Sequence, residues 1–207
     1  QECLDLPEKV FETAFVEWTP DQERAYRALR DSALAEFEKG TVSVTNALTT
    51  LTRLHQINCG YLPADDGTII PLASNRLDTM MDLVACTEGK ILIWARFRQD
   101  ITTILEALRK EYGDKSAVDY YGGTTLVERT ENLVRFRQDP DCRFSVANAA
   151  SAGRSLTLVE ACTTIYYSLS YSLEEWLQSQ DRNHRIGQTK QVTYHTLAVP
   201  NTVDTKL

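Results

Sequence analysis

A chain of 207 residues, 43% of them hydrophobic and 25% charged, has room for one substantial α/β domain and a small appendage. No apolar run approaches the roughly 20 residues that a membrane-spanning helix needs, so the sequence predicts no membrane partner. The formal net charge of −7 excludes a uniformly basic surface for nucleic acid, although a single basic stripe would suffice. Four arginines that lie close together in the sequence are candidates for such a stripe: Arg129, Arg135, Arg137 and Arg143.

The two ends of the chain carry no targeting signal. Gln1-Glu2-Cys3 has no Met, no basic segment and no apolar segment, so no signal peptide is predicted. Together with the abrupt end at Leu207, this start predicts an excised piece of a longer cytoplasmic protein. The five cysteines form no Cys-x-x-Cys pair and have no His at metal spacing, which favours reduced thiols over a zinc site.

Residues 1–74 are predicted to form a mainly helical segment. Thr19-Pro20 is a helix start signal, and apolar residues at helical spacing extend that helix towards Gly40. A second helix is predicted over 43–58. A loop with two prolines and a glycine follows over 61–75.

From residue 75 the pattern changes to alternating helices and strands, which assigns 75–207 to one α/β domain. Short apolar strands separated by helices predict a parallel sheet with helices on both faces. In such sheets the loops at the carboxyl ends of the strands hold the chemistry. The predicted elements are, in order, a helix over 75–85, a strand over 90–95, a helix over 98–112, a strand over 117–121, a helix over 126–136, a strand over 143–147, a short helix over 156–161, a strand over 164–168, a helix over 173–185 and a strand over 192–198.

The most informative run lies near the end of the chain. Arg182 and Arg185 are three residues apart on the predicted helix, so their planar donor groups are expected on one face, where they suit phosphate oxygens. Gly187 is predicted to end this helix. The alternative is a solvated helix end in which the two arginines pair with Asp181 or Glu175. The complete run favours the functional interpretation; it reads Gln178-Ser-Gln-Asp181-Arg182-Asn-His184-Arg185-Ile-Gly187-Gln188.

This run resembles motif VI of the Swi/Snf-related branch of superfamily 2 helicases, and other segments match the same family in the same order. Residues 90–97 resemble motif IV, and residues 121–125 (Tyr-Gly-Gly-Thr-Thr) resemble the family's Gly-rich turn. Residues 151–158 lie where motif V is expected, and residues 54–58 resemble the segment that links the family's two lobes. The resemblance implies the second RecA-like lobe of such an enzyme, preceded by a helical linking segment.

The resemblance also implies roles for single residues. Arg182 and Arg185 are expected to be arginine fingers that reach ATP and its Mg²⁺, which a missing N-terminal lobe of the same polypeptide would bind. The remaining assignments are nucleotide contact or loop ordering for Gln178, Asp181, Gly187 and Gln188, coupling of nucleotide to nucleic acid for Gly153, Ser155 and Thr157, and phosphate contact for Gly122, Gly123, Thr124 and Arg129. For the Gly-Gly-Thr turn, a plain strand-to-helix connection is an equal alternative.

Motif V departs from the family pattern. Ala152 and Ser155 stand where the family usually has Gly, and Arg154 stands where a small apolar residue is common. Replacing Gly restricts the backbone, so the loop is expected to have altered geometry or weaker coupling, while Arg154 is equally a candidate for an added phosphate contact.

The sequence also lacks a Gly-x-x-x-x-Gly-Lys-Ser/Thr phosphate loop and a strand that ends in Asp-Glu. The chain alone is therefore predicted to be inactive. The expected function of the intact protein is a DNA-dependent ATPase that translocates on double-stranded DNA. The alternative is a non-catalytic module that keeps the fold and binds nucleic acid or protein. A motor without further recognition domains would suit a bacterial or phage protein.

Overall fold

The computed structural model describes residues 6–39, 43–64, 66–151 and 156–206. Two short 3₁₀ turns, Ala149–Ser151 and Val203–Lys206, accompany the helices and strands. The helices and strands are, in chain order, β1 (Lys9–Phe15), α1 (Pro20–Glu38), α2 (Val44–Cys59), β2 (Tyr61–Pro63), β3 (Ile69–Pro71), α3 (Arg76–Ala85), β4 (Lys90–Trp94), α4 (Arg98–Tyr112), β5 (Ala117–Tyr120), α5 (Leu126–Gln138), β6 (Phe144–Ala147), β7 (Ala161–Tyr166), α6 (Leu173–Gln180) and β8 (Val192–Ala198).

By compactness the chain divides into two units. The first combines the described residues up to Ala14 with Met80–Leu197, and the second combines Phe15–Thr79 with the residues from Ala198 onward. The division into a linking segment over 1–74 and a lobe over 75–207 stays a prediction.

A six-stranded sheet with the order β1-β8-β7-β4-β6-β5 organises the first unit. The pairs β4–β6, β4–β7, β5–β6 and β7–β8 are all parallel. Ile91, Leu92 and Ile93 on the central strand β4 are fully buried. Because successive side chains point to opposite faces, this burial shows that both faces of the sheet are covered. The predicted parallel α/β architecture is therefore confirmed.

The register of the central strands brings their carboxyl ends to one edge of the sheet. Trp94, the last residue of β4, pairs with Ala147 on one side and with Tyr166 on the other. All three belong to a hydrophobic core that also includes Leu156 and Leu158. The loops after these strands therefore start from a fixed, buried layer.

The second unit is built on the pair of helices α1 and α2. Thr19 caps α1 in a capping box with Gln22, as the start signal predicts, and Ser43 caps α2. The Gln22 amide also donates to the carbonyl oxygen of Ile57 at 2.8 Å, which ties the first turn of α1 to the end of α2. Their apolar core contains Tyr26 and Ile57 together with Val203.

Two further elements differ from the predictions for the first 75 residues. Lys9–Phe15 forms an edge strand instead of part of a helical segment, because its sequence, KVFETAF, is rich in the aromatic and β-branched residues that favour strands. The predicted loop over 61–75 contains a small antiparallel pair, in which Tyr61 lies opposite Pro71.

Two predicted helices near the candidate site are also wrong. Residues 156–161 form no helix: Leu156 and Leu158 are buried in the core, and a turn at residues 159–160 leads into β7. The helix predicted over 173–185 ends at Gln180. Beyond it, the carbonyl oxygen of Arg182 accepts a hydrogen bond from the backbone N–H of Leu158 at 2.7 Å, so it no longer serves a helical partner.

Candidate functional site

The two arginines of the motif VI run occupy different environments. Because α6 ends at Gln180, Arg182 and Arg185 do not share a helical face, and this prediction is wrong. Arg182 is only 5% exposed, and burial lowers the pKa of its guanidinium while Asp181 opposes that shift. Arg185 is exposed, and its Nη1 donates to the hydroxyl of Thr157 at 3.1 Å. Of the two arginines, Arg185 is the one that lies at the surface of this lobe.

Gln188 fixes the end of the motif VI run. Its side-chain Nε2 lies 3.0 Å from the carbonyl oxygen of Val159 and 3.1 Å from that of Asn183, and its Oε1 accepts from the backbone N–H of Lys190 at 3.0 Å. The side chain is 7% exposed. These bonds tie Gln188 to the surrounding backbone, and its role at a nucleotide site stays a prediction.

Asn183 is a residue that the sequence interpretation missed. Its side chain is fully buried and donates to the Thr164 hydroxyl at 2.8 Å, while its Oδ1 accepts from the Tyr194 hydroxyl at 3.1 Å. These bonds connect the loop to β7 and β8. The local sequence gave no signal of this role, because the partners of Asn183 are distant in sequence.

The other residues of the run lie at the surface or at turns. The Gln178 amide donates to Glu174 at 2.7 Å, and Asp181 caps the end of α6. Gly187 has a φ of 101°, a left-handed conformation that favours glycine, and so permits the turn that places Gln188. The His184 ring lies 2.7 Å from the carbonyl oxygen of Pro7. The motif therefore also contacts the start of the described chain.

Thr157 connects the end of motif V to motif VI. Its hydroxyl accepts from Arg185, and its carbonyl oxygen accepts from Nη2 of Arg137 on α5. Gly153 and Ser155, and with them the departures from the family pattern, lie outside the described residues. Of the three residues predicted to couple nucleotide to nucleic acid, Thr157 is thus the one that the structure describes.

The Gly-Gly-Thr turn joins β5 to α5. The Thr124 backbone N–H and hydroxyl both lie close to the Tyr121 carbonyl oxygen, at 3.2 and 3.1 Å. A Cβ atom at Gly123 would collide with the Tyr121 ring, whereas one at Gly122 would lie 3.6 Å from the Ser151 hydroxyl. Gly123 is therefore required for the close approach of this ring, and Gly122 is not subject to the same constraint.

The helix that follows this turn is well capped. Thr125 and Glu128 form a capping box, and Nε of Arg129 donates to the carbonyl oxygen of Thr124 at 2.9 Å. These contacts support a rigid strand-to-helix turn, and both glycines are exposed at its surface. Phosphate contact by Gly122, Gly123, Thr124 and Arg129 stays a prediction.

The other arginines of the candidate basic stripe bind backbone carbonyls. Arg143 donates to the carbonyl oxygen of Val84 in the last turn of α3 at 3.0 Å and to that of Gly89 beyond the helix at 2.9 Å. Arg135 donates to the carbonyl oxygen of Lys115 at 2.7 Å. Their packing roles weaken the case for a stripe formed by all four arginines.

A cleft of about 280 Å³ opens at the carboxyl ends of β4, β6 and β7. Asn148 and Ser168 line it, and both stabilise the loop after β4: the Asn148 amide donates to the carbonyl oxygen of Arg96 at 2.7 Å, and the Ser168 hydroxyl accepts from the backbone N–H of Arg96 at 2.8 Å. Among the predicted site residues that the structure describes, none lines this cleft.

The described ranges contain no group of three or more His, Cys, Asp or Glu side chains arranged to hold a metal ion. Within the same ranges, no helix combines the length and apolar character of a membrane span.

The parallel sheet, with Thr157 and Leu158 bonded to Arg185 and Arg182, is the arrangement expected of a helicase lobe. The family model described as Helicase conserved C-terminal domain matches residues 75–187, more than half of the chain. The chain therefore belongs to the helicase conserved C-terminal domain family.

Individual relatives agree with this assignment. The human Lymphoid-specific helicase is 29% identical over 131 residues, which are 63% of this chain and 15% of that protein. The chain thus spans a small part of this relative's length.

Solved structures show the same fold. The C-terminal part of the Fun30 ATPase domain matches with a TM-score of 0.76 at 19% identity, covering 97% of this chain and 88% of that chain. The Sulfolobus solfataricus SWI2/SNF2 ATPase core in complex with dsDNA matches with a TM-score of 0.78 at 24% identity, covering 98% of this chain and 43% of that chain. These likenesses confirm the predicted RecA-like α/β fold.

Proposed function

We propose that this chain is the C-terminal motor lobe of a DNA-dependent ATPase that translocates on double-stranded DNA. In this proposal an N-terminal lobe of the same polypeptide binds most of the ATP, and Arg182 and Arg185 approach its phosphates from this lobe. The observation that carries the proposal is the position of Arg185: it is exposed, yet its guanidinium is held by Thr157 at the end of motif V. The dsDNA complex of the related Sulfolobus core supports duplex DNA as the nucleic acid.

The chemistry expected of Arg185 is neutralisation of charge. Phosphoryl transfer depends mainly on positioning and on electrostatic stabilisation, and an arginine supplied from a second domain is worth about 10³-fold or more in rate. A single bond to a neutral hydroxyl holds Arg185 in place without neutralising its charge. Mg²⁺ bound with ATP would neutralise further phosphate charge. The residues of this lobe would orient the fingers and exclude water as the lobes close.

Arg182 has a second, structural part in this arrangement. Its guanidinium is buried, and its carbonyl oxygen pairs with Leu158. Replacing Arg182 would therefore disturb packing as well as any contact to phosphate. Arg185 is the cleaner position for a test.

The test is Arg185→Ala in a protein that joins this lobe to its ATP-binding lobe. We expect kcat for ATP to fall by at least about 10²-fold, because an interaction made in the transition state is lost, with affinity for duplex DNA within about twofold. Steady-state ATP hydrolysis and a DNA-binding titration measure the two quantities. Lys190→Ala is the matched control, since it removes an exposed positive charge just beyond the same motif. Full ATPase activity in Arg185→Ala would contradict the arginine-finger assignment.

A further inference from the structure

One peptide group is bonded on both sides by elements of the candidate site. The carbonyl oxygen of Thr157 accepts from Nη2 of Arg137, and the next N–H along the chain, that of Leu158, donates to the carbonyl oxygen of Arg182. The hydroxyl of Thr157 accepts from Arg185. Because the peptide group is planar, its C=O and N–H point in opposite directions and connect α5 on one side with motif VI on the other.

Two interactions hold the guanidinium of Arg137 beside this peptide group. It is the second residue from the end of α5, and its Nε lies 3.8 Å from a carboxylate oxygen of Glu160. Both side chains are about two-thirds buried, so water screens the pair less than a fully exposed one. The guanidinium fork thus spans a backbone carbonyl and a carboxylate, a geometry that lysine would not reproduce.

The opposite end of α5 carries the Gly-Gly-Thr turn. Arg129 in the first turn of the helix donates to the carbonyl oxygen of Thr124, and Asn132 donates to the carbonyl oxygen of Asp119 at 3.1 Å. With its capping box, the 13-residue helix forms a rod of about 20 Å between that turn and Thr157.

We propose that Arg137 is a positioning residue, through which α5 transmits nucleic-acid contact at the Gly-Gly-Thr turn to Arg185 by way of Thr157. This inference rests on the proposed function, since it requires duplex DNA at the turn and ATP phosphate at Arg185. It gives Arg137 a role other than a phosphate contact on a basic stripe. A shift of α5 would move the Thr157–Leu158 peptide, and with it the hydroxyl that holds Arg185 and the N–H that holds Arg182.

The test uses Arg137→Met in the protein that carries both lobes, and its readout is the stimulation factor, kcat with duplex DNA divided by kcat without it. We expect this factor to fall by about 5- to 30-fold, the usual size of a coupling between two sites, with DNA affinity within about twofold. Arg135→Met is the matched control, because Arg135 lies on the same helix but bonds to Lys115 instead of Thr157. It should leave the stimulation factor within about twofold.

A second variant acts on the same link from its other side. Thr157→Val keeps the carbonyl that Arg137 binds and removes the hydroxyl that Arg185 binds, so it should also lower the stimulation factor. The double variant should be little worse than either single variant, because both break one line of contacts. If Arg137→Met does not fold, a lowered stimulation factor in Thr157→Val with normal DNA affinity supports the link, and an unchanged factor overturns it.

Three results would overturn the inference. They are a stimulation factor in Arg137→Met equal to that of Arg135→Met, a loss of DNA affinity as large as the loss of stimulation, and single effects that multiply in the double variant. Failure of the proposed function is separate: it would appear as full ATPase activity in Arg185→Ala, whatever Arg137→Met does.

Discussion

Gln178 and Gln188, the first and last residues of the motif VI run, have different structural roles. The buried amide of Gln188 bonds to carbonyl oxygens and N–H groups of the loop, whereas Gln178 bonds to one neighbouring carboxylate on α6. Removing a buried hydrogen-bond partner costs about 1–3 kcal/mol, because the remaining groups stay buried without it. An exposed substitution usually stays within about 0.5 kcal/mol.

We therefore expect Gln188→Met to lower the free energy of unfolding by about 1–3 kcal/mol. Gln178→Met, the control, should change it by less than about 0.5 kcal/mol. Chemical denaturation followed by circular dichroism measures both. Equal effects of the two variants would mean that Gln188 does not hold the loop in solution.

The residue types of the site could be predicted from the sequence, but their placement could not. The run from Gln178 to Gln188 predicts Arg182 and Arg185 as site residues, but the helix ends at Gln180, so Gly187 does not end it as predicted and instead permits a later turn with its φ of 101°. Arg182 is buried, and its backbone carbonyl oxygen bonds to Leu158, which lies far from it in the sequence. No local pattern encodes such a long-range partner.

A buried ion pair holds the 3₁₀ turn Val203–Lys206 to the rest of the second unit. Nη1 of Arg76 lies 2.7 Å from Oδ2 of Asp204, and Arg76 is 1% exposed. Burial alone would raise the pKa of the Asp204 carboxyl, but the charge of Arg76 and the proximity of His55 hold that pKa below its ordinary value of 3.8. The carboxylate therefore stabilises the folded unit.

Asp204→Asn should destabilise the protein by about 3–5 kcal/mol, because it removes the charge that pairs with a buried arginine. Asp31→Asn breaks an exposed pair with Arg30 and should cost less than about 1 kcal/mol. Thermal or denaturant unfolding near neutral pH measures the difference. A similar, small loss in both variants would show that the buried pair contributes little.

The same pair predicts a dependence on pH. Since the folded pKa of Asp204 is lowered, its contribution is complete above 3.8 and is lost as the pH falls from 3.8 towards the lowered value. The stability advantage of the unaltered protein over Asp204→Asn should shrink in that range. An advantage that persists unchanged in acid would contradict the assignment.

The bounds of elements whose apolar residues recur at a regular spacing could be predicted from the sequence. Elements that depend on contacts with residues distant in the sequence could not. The helix Arg98–Tyr112 and the strand Val192–Ala198 have the predicted bounds. The edge strand Lys9–Phe15 was not predicted, although its aromatic and β-branched residues favour a strand, because its partner β8 lies near the other end of the chain. The helix predicted over 156–161 is wrong, because Leu156 and Leu158 are buried in a core formed with residues distant in sequence.

At the scale of the whole molecule, the motif VI run exposes Arg185 at the surface, and the hydroxyl of Thr157 holds its guanidinium. The family supplies the class of activity, whereas the position of Arg185 beside Thr157 is this chain's own structural support for a finger. The sequence contains no phosphate loop, so the described lobe is expected to depend on another lobe for ATP binding.

The most direct measurement is ATP hydrolysis, with and without duplex DNA, by this chain alone and by the same chain joined to its N-terminal lobe. The account predicts no turnover by the chain alone and DNA-stimulated turnover by the joined protein. A joined protein that binds duplex DNA but hydrolyses no ATP would contradict the motor assignment and favour a non-catalytic binding module. In that case Ala152 and Ser155 of motif V would be the first positions to change to glycine.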